Sequence, residues 1–194
     1  MGYKKEIAKS YYRKRFINLI MSNYWERRKN NDYYKLVKAI CSKILINNKN
    51  YSIIDFGCRN TEIIFDLKCD KKFLLDKKDE YKPYQKLKIA EKNIIFIEKS
   101  IYDIDYTNEF DICICLQTLE HLEDPEKAFA LIYKASKLYT IISLPYKWRS
   151  ATKGHIHHNI DEQLIKKWTK LDPIQSYVMK DRGSERIINV YTKN

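Results

Sequence analysis

The chain has 194 residues, 44% hydrophobic and 32% charged, with only 4 Gly and 4 Pro. This composition suits one soluble packed domain and excludes a collagenous or linker-like polymer. The formal net charge of +12 suggests a polyanion partner, but Lys outnumbers Arg 29 to 8, whereas phosphate readers lean on the bidentate arginine fork. No run approaches the roughly 18 uncharged apolar residues of a membrane span. The first residues, Met1 to Lys5, lead into charged and aromatic sequence rather than the apolar stretch of a signal peptide. A soluble, cytoplasmic protein with no membrane span is expected, and nucleic acid is not its favoured partner.

Residues 3–30 carry Ile7, Tyr11, Phe16, Ile20 and Trp25 at loosely helical spacing. They read as an N-terminal helical cap segment, residues 1–30, on a main domain spanning 31–194. Asp32 is placed to cap a helix over 33–46, where Tyr33, Leu36, Val37, Ile40 and Ile44 recur at three-and-four spacing. Short β-branched strands follow at 51–56, 73–76, 94–98 and 110–116, with helices expected at 61–67 and 84–91. Pro125 opens a helix over 126–137, then a fifth strand covers 138–144. A helix ending at Lys170 and two final strands, 174–179 and 186–192, close the chain.

Apolar strands alternating with helical patterns mean parallel pairing. The fold class is α/β: Rossmann-like, a mostly parallel seven-stranded sheet with a C-terminal antiparallel hairpin strand and helices on both faces. Five cysteines without a C-x-x-C are a poor disulfide framework and a poor zinc site. Cys113 and Cys115 read instead as small hydrophobes on one face of the fourth strand.

In open α/β sheets, ligands bind outside the carboxyl ends of the strands. The first strand ends in Asp55-Phe56-Gly57-Cys58, and Asp76 ends the second, 21 residues beyond Asp55. That spacing places an acid near ribose hydroxyls in nucleoside-cofactor folds. The segment running from Phe110 through Leu119-Glu120-His121-Leu122 to Asp124-Pro125 resembles the fourth-strand region of class I S-adenosylmethionine-dependent methyltransferases. The resemblance covers about residues 33–194, and Glu120-His121 is its most specific part.

The resemblance implies S-adenosyl-L-methionine as cofactor and S-adenosyl-L-homocysteine as product. Carried over by position, Asp55, Gly57 and Cys58 meet its methionine portion and Asp76 its ribose. Ser100 and Ile101 bracket the adenine, and Leu116, Gln117 and His121 lie near the methyl donor. Two departures stand out: Arg59 and Thr61 replace the second and third glycines of the usual first loop, and Ser100 replaces an Asp. His155, beyond the fifth strand, matches the acceptor-facing loop, with His157 and His158 in reserve. The resemblance also gives the N-terminal segment two readings, a docked extra helix or a lid.

These residues imply methyl transfer to a small polar acceptor, an oxygen rather than a nitrogen, with His155, His121 or His157 as catalytic groups. No metal is expected, because the histidine cluster shows no carboxylate or third anchor at a recognisable spacing. Two alternatives stand beside this reading. One is a non-catalytic module, suggested by the altered glycine loop. The other is an RNA methyltransferase, suggested by charge but lacking an Asn-Pro-Pro-Tyr type of fourth-strand ending.

Overall fold

The computed structural model of the chain describes residues 24–46, 48–148 and 154–193. Ile7, Tyr11, Phe16 and Ile20 of the expected cap segment therefore lie outside the described residues. The described part begins with a short helix α1 (Tyr24–Arg28), whose Trp25 is buried edge-on against Tyr34 with ring centroids 5.2 Å apart. Helix α2 (Asp32–Leu45) buries Tyr33, Val37, Cys41 and Leu45 at helical spacing. Asp32, expected as its cap, is instead the first helical residue, and Asn31 stands extended at the cap position without a side-chain hydrogen bond.

Seven strands form one sheet: β1 (Ser52–Phe56), β2 (Lys71–Asp76), β3 (Ile94–Glu98), β4 (Phe110–Leu116), β5 (Ser136–Pro145), β6 (Gln175–Asp181) and β7 (Ser184–Thr192). Their order is β3-β2-β1-β4-β5-β7-β6. The first five pair in parallel, while β7 runs antiparallel to both β5 and β6. Connections from β1 lead outward on one side and β4–β5 fill the other, so the switch point lies between the carboxyl ends of β1 and β4.

Alternation along the central strands divides the core into two layers. Ile53, Ile112 and Ile114 face α2, while Ile54, Phe56, Cys113 and Cys115 face α4 (Pro125–Ala135) and α5 (Glu162–Thr169). All five cysteines are free and buried. Strand β1 is buried throughout, as a two-faced parallel strand must be, whereas the edge strand β6 is mostly exposed. Helix α3 (Pro83–Glu91) flanks β3. Helices α4 and α5 open on Asp124 and Asp161, whose carboxylates accept from the amides of Lys127 and Leu164, each at 2.9 Å. No helix among the described residues is long and apolar enough to cross a membrane.

Two local expectations are corrected. Residues 61–67 form a series of tight turns, not a helix, with the amides of Phe65 and Leu67 donating to Glu62 and Ile64 at 3.2 Å. Three consecutive residues, Ile63, Ile64 and Phe65, are buried, a wider apolar face than the single stripe of an amphipathic helix, while Asp66 is exposed. The last hairpin is also tighter than its sequence suggests. Asp181 pairs with Ser184 across Arg182 and Gly183, both at positive φ (49° and 83°), the signature of a two-residue type I′ turn.

Candidate active site

A cavity of about 390 Å³ opens at the carboxyl ends of β1, β2 and β4. Its floor begins at Gly57, where φ is +70° and the amide donates to Leu75 O at 2.8 Å, tying the first loop to β2. A Cβ at Gly57 would collide with the Thr118 side chain, coming within 2.6 Å of its Oγ1. Glycine is therefore required here by the packing of one loop on the other.

The two replaced glycines prove informative. Arg59 adopts the left-handed conformation (φ 51°) that a glycine would take more cheaply, by about 1–2 kcal/mol. Its amide donates to Asp76 Oδ2 at 2.7 Å, and its guanidinium reaches Glu80 at 2.9 Å while lying 4.6 Å above the Tyr24 ring. Thr61 Oγ1 donates to Asp55 Oδ2 at 2.9 Å. Both side chains thus serve neighbouring carboxylates. Burial raises the Asp76 carboxyl above its ordinary range in spite of the Arg59 amide. Asp55, completely enclosed, is pushed up to about 7 by burial, against the Thr61 hydrogen bond and with the help of nearby Asp76.

Gly57, Asp76, Ser100 and Ile101 come together on one side of the cavity, and Leu116, Gln117, His121 and His155 on the other. The Ser100 hydroxyl accepts from the Tyr102 amide at 3.2 Å, starting the short turn that carries Ile101. Gln117 is held at φ 52° by its amide bond to Ser143 O at 2.9 Å, which aims the end of β4 at the cavity. Three residues of the expected site are not brought to the cavity. Asp55 lies beneath the loop, Cys58 faces the core, and the His157 ring packs on Trp168 with Nε2 2.9 Å from Leu122 O.

Sequence reasoning missed Thr118, Tyr24, Arg28 and Trp148 as lining residues, and above all Glu120. The 3-10 turn Leu119–His121 after β4 rotates the Glu120 side chain inward, where it is fully buried. Neither carboxylate oxygen meets a hydrogen-bond donor of another residue among the described residues, and burial pushes the group up to about 8. The Glu120 carbonyl accepts from the amides of Ile156 and His157 at 2.9 and 3.2 Å, clamping the histidine loop over this turn. His121 Nδ1 lies 2.6 Å from Gly154 O, so Nδ1 carries the proton and Nε2 presents a lone pair. The His155 ring sits edge-on to His121 at 4.6 Å and stacks on Trp148 at 5.8 Å. Burial and the neighbouring His121 lower His155 to about 4, so it is neutral at physiological pH.

A doubly wound sheet with an acid-lined cavity at its switch point defines a nucleoside-cofactor α/β protein. Residues 54–138 match the family model described as a methyltransferase domain. By this match residues 54–138 carry a methyltransferase domain, and the sheet as a whole has the fold of class I S-adenosylmethionine-dependent methyltransferases. No curated protein matches the sequence.

Solved structures with this architecture are distant in sequence. Magnesium protoporphyrin IX methyltransferase from Synechocystis PCC 6803, with bound S-adenosylmethionine, is 15% identical with a TM-score of 0.65, covering 84% of this chain and 80% of its own. N-methyltransferase NodS from Bradyrhizobium japonicum WM9, with S-adenosylhomocysteine, is 13% identical at a TM-score of 0.66, covering 92% and 96%. The 1,6-didemethyltoxoflavin-N1-methyltransferase of Burkholderia thailandensis, holding 1,6-didemethyltoxoflavin and S-adenosylhomocysteine, is 12% identical at 0.69, covering 98% and 87%. The cavity suits the cofactor by its own chemistry. It offers a carboxylate for hydroxyls at Asp76, an apolar wall at Ile101 for a flat ring, and exposed backbone at Gly57 for a polar tail.

Proposed function

We infer that the protein methylates an oxygen of a small polar acceptor, such as a sugar-like metabolite. The observation that carries this reading is the neutral His155 imidazole in the cavity wall, beside His121 and opposite the Asp76 side. S-adenosylmethionine supplies an electrophilic methyl group. Asp76, Ser100 and Ile101 would hold its nucleoside, with Gly57 and Gln117 against its amino-acid portion.

The chain's own contribution is position and proton transfer. Holding acceptor and donor in near-attack geometry can contribute about 7–11 kcal/mol. A hydroxyl also carries a proton that must leave, and a ring nitrogen of His155 is available to take it. Its lowered pKa makes it a weaker base than an ordinary histidine. That suffices, because an oxygen that is gaining carbon becomes strongly acidic as it does so. Trp148, stacked on His155, fixes the ring plane and covers it from solvent. Tyr24 and Arg28 of α1 also line the cavity, Tyr24 beneath the Arg59 guanidinium, so this helix covers part of the site.

A small acceptor is also favoured over nucleic acid by how the lysines are spent. Among the described residues Lys35, Lys38, Lys86, Lys134 and Lys166 each pair with a nearby carboxylate, which leaves these five less available to phosphates. Five unpaired, buried thiols accord with a reducing, cytoplasmic setting.

The test is release of S-adenosylhomocysteine from panels of hydroxyl and amine acceptors, using wild type and His155→Ala. Hydroxyl acceptors should turn over, and His155→Ala should lower kcat at least about 10²-fold, the lower end for a general base. The KM for S-adenosylmethionine should stay within about twofold. Turnover of amines alone, with His155→Ala fully active, would contradict the reading.

A further inference from the structure

The β4–β5 end of the cavity holds a group that proton transfer by His155 does not use. Glu120 is fully buried, lines the cavity, and finds no donor from another residue among the described residues. A carboxylate so placed costs stability unless something charged completes it. His121 Nε2 lies 3.9 Å from Oε1, too far for a hydrogen bond, and the buried Arg186 guanidinium acts on the carboxyl only through space. One ligand atom each from Glu120, His121 and His155 lie within 4.8 Å of one another.

We propose that Glu120, His121 and His155 form the binding site of one divalent transition-metal ion of the zinc, cobalt or manganese type. Two imidazoles and one carboxylate, leaving coordination positions open, are the donor set such ions take in sites that bind an exchangeable oxygen ligand. The imidazoles are prepared for it. His121 gives its Nδ1 proton to the Gly154 carbonyl at 2.6 Å, the outer-shell bond that metal-bound histidines characteristically make, and so turns an unprotonated Nε2 toward Glu120. The His155 ring is held in plane by stacking on Trp148. The backbone bonds from Ile156 and His157 to Glu120 O fix the loop carrying one ligand to the turn carrying the other two.

The fit in size is close. Tetrahedral ligands at about 2.1 Å from a metal are about 3.4 Å apart, so closing the present set takes side-chain rotations of about an ångström. One carboxylate and two neutral imidazoles leave a net charge of +1 on the loaded site, favouring an anionic or ionisable oxygen in the open position. Resting on the oxygen-acceptor reading, that oxygen belongs to the acceptor, whose hydroxyl pKa the ion lowers. In the ion-loaded protein His155 serves as a ligand in place of its role as base, the proton of the ion-bound hydroxyl passes to water, and loss of His155 weakens ion binding and lowers turnover together.

Ion binding needs no acceptor and no cofactor, so its test is independent of the reaction. Untagged protein, stripped with a chelator, is titrated with Co2+ by visible absorption and with Zn2+ by calorimetry. One equivalent should bind, and the cobalt spectrum should show nitrogen and oxygen ligation without the thiolate charge-transfer band of the cysteines. Glu120→Gln, nearly isosteric, and His155→Ala should each weaken binding at least tenfold, while His157→Ala should not. Circular dichroism confirms that the variants are folded, and a second carboxylate-keeping variant, Glu120→Asp, should retain part of the affinity. Absence of one-to-one binding, a thiolate spectrum, or undiminished affinity in Glu120→Gln would overturn the site. Metal binding without turnover of hydroxyl acceptors would keep the site and refute the oxygen-acceptor reading alone.

Discussion

The β1 edge of the cavity and the β4–β5 edge each bury a carboxylate completely, and the chain treats the two differently. Asp55 at the first edge receives the Thr61 hydroxyl, Asp76 above it receives a backbone amide, and the Arg59 guanidinium pairs with Glu80, so the two side chains that depart from the usual glycine loop each meet an acid. Glu120 at the second edge receives no such donor among the described residues, although two histidines stand beside it. Burial raises both Asp55 and Glu120, to about 7 and about 8, but only Asp55 has a local partner to offset it. The difference separates an edge finished by the chain itself from one completed from outside. It also gives Arg59 and Thr61 a constructive role, which weakens the idea of a degenerate loop.

The largest expected effect would break the first edge. Gly57→Ala must place a Cβ against Thr118 at a φ of +70°. Left-handed strain of about 1–2 kcal/mol and overpacking of about 1–3 kcal/mol together predict a loss of about 2–5 kcal/mol in chemical unfolding. Unchanged stability would show that the two loops are not packed as described. Asp55→Asn sharpens the comparison by removing only the charge. Because the folded-state pKa of Asp55 lies near 7, above its ordinary 3.8, the native state holds an extra proton across that window and wild-type stability falls as pH rises through it. The cofactor-free variant should therefore match wild type near pH 4 and exceed it progressively towards pH 8. At 1.36 kcal/mol per unit the gain has an upper bound of about 4 kcal/mol. A difference that does not change between pH 4 and pH 8, followed by thermal unfolding, would contradict the burial of an unpaid charge at that site.

Much of the first edge was legible in the sequence, and little of the second. Strand periodicity gave the parallel sheet, and Asp124-Pro125 marked a helix start that the Asp124 carboxylate caps. The spacing from Asp55 to Asp76 follows from chain direction in a parallel pair, and β1 and β2 pair directly. The turns over residues 61–67 are hard to read because Ile63, Ile64 and Leu67 follow helical spacing, while the consecutive burial of Ile63, Ile64 and Phe65 is set by tertiary packing. Glu120 was hidden for another reason. Whether a residue after a strand points in or out depends on the hand of a three-residue turn, and neither periodicity nor composition records that. His155 joins His121 and Glu120 across 34 residues only because β5 lies beside β4.

The smallest of these effects is the most direct test of the cofactor cavity. Titration of S-adenosylhomocysteine into the wild-type chain by calorimetry should show a single site with micromolar affinity. Asp76→Ala should weaken it about 10–150-fold, corresponding to a charged hydrogen bond of roughly 1.5–3 kcal/mol, with the fold unchanged by circular dichroism. No heat and no thermal shift with either cofactor form at millimolar concentration, or an affinity untouched by Asp76→Ala, would contradict the assignment of the β1–β2 edge to the nucleoside.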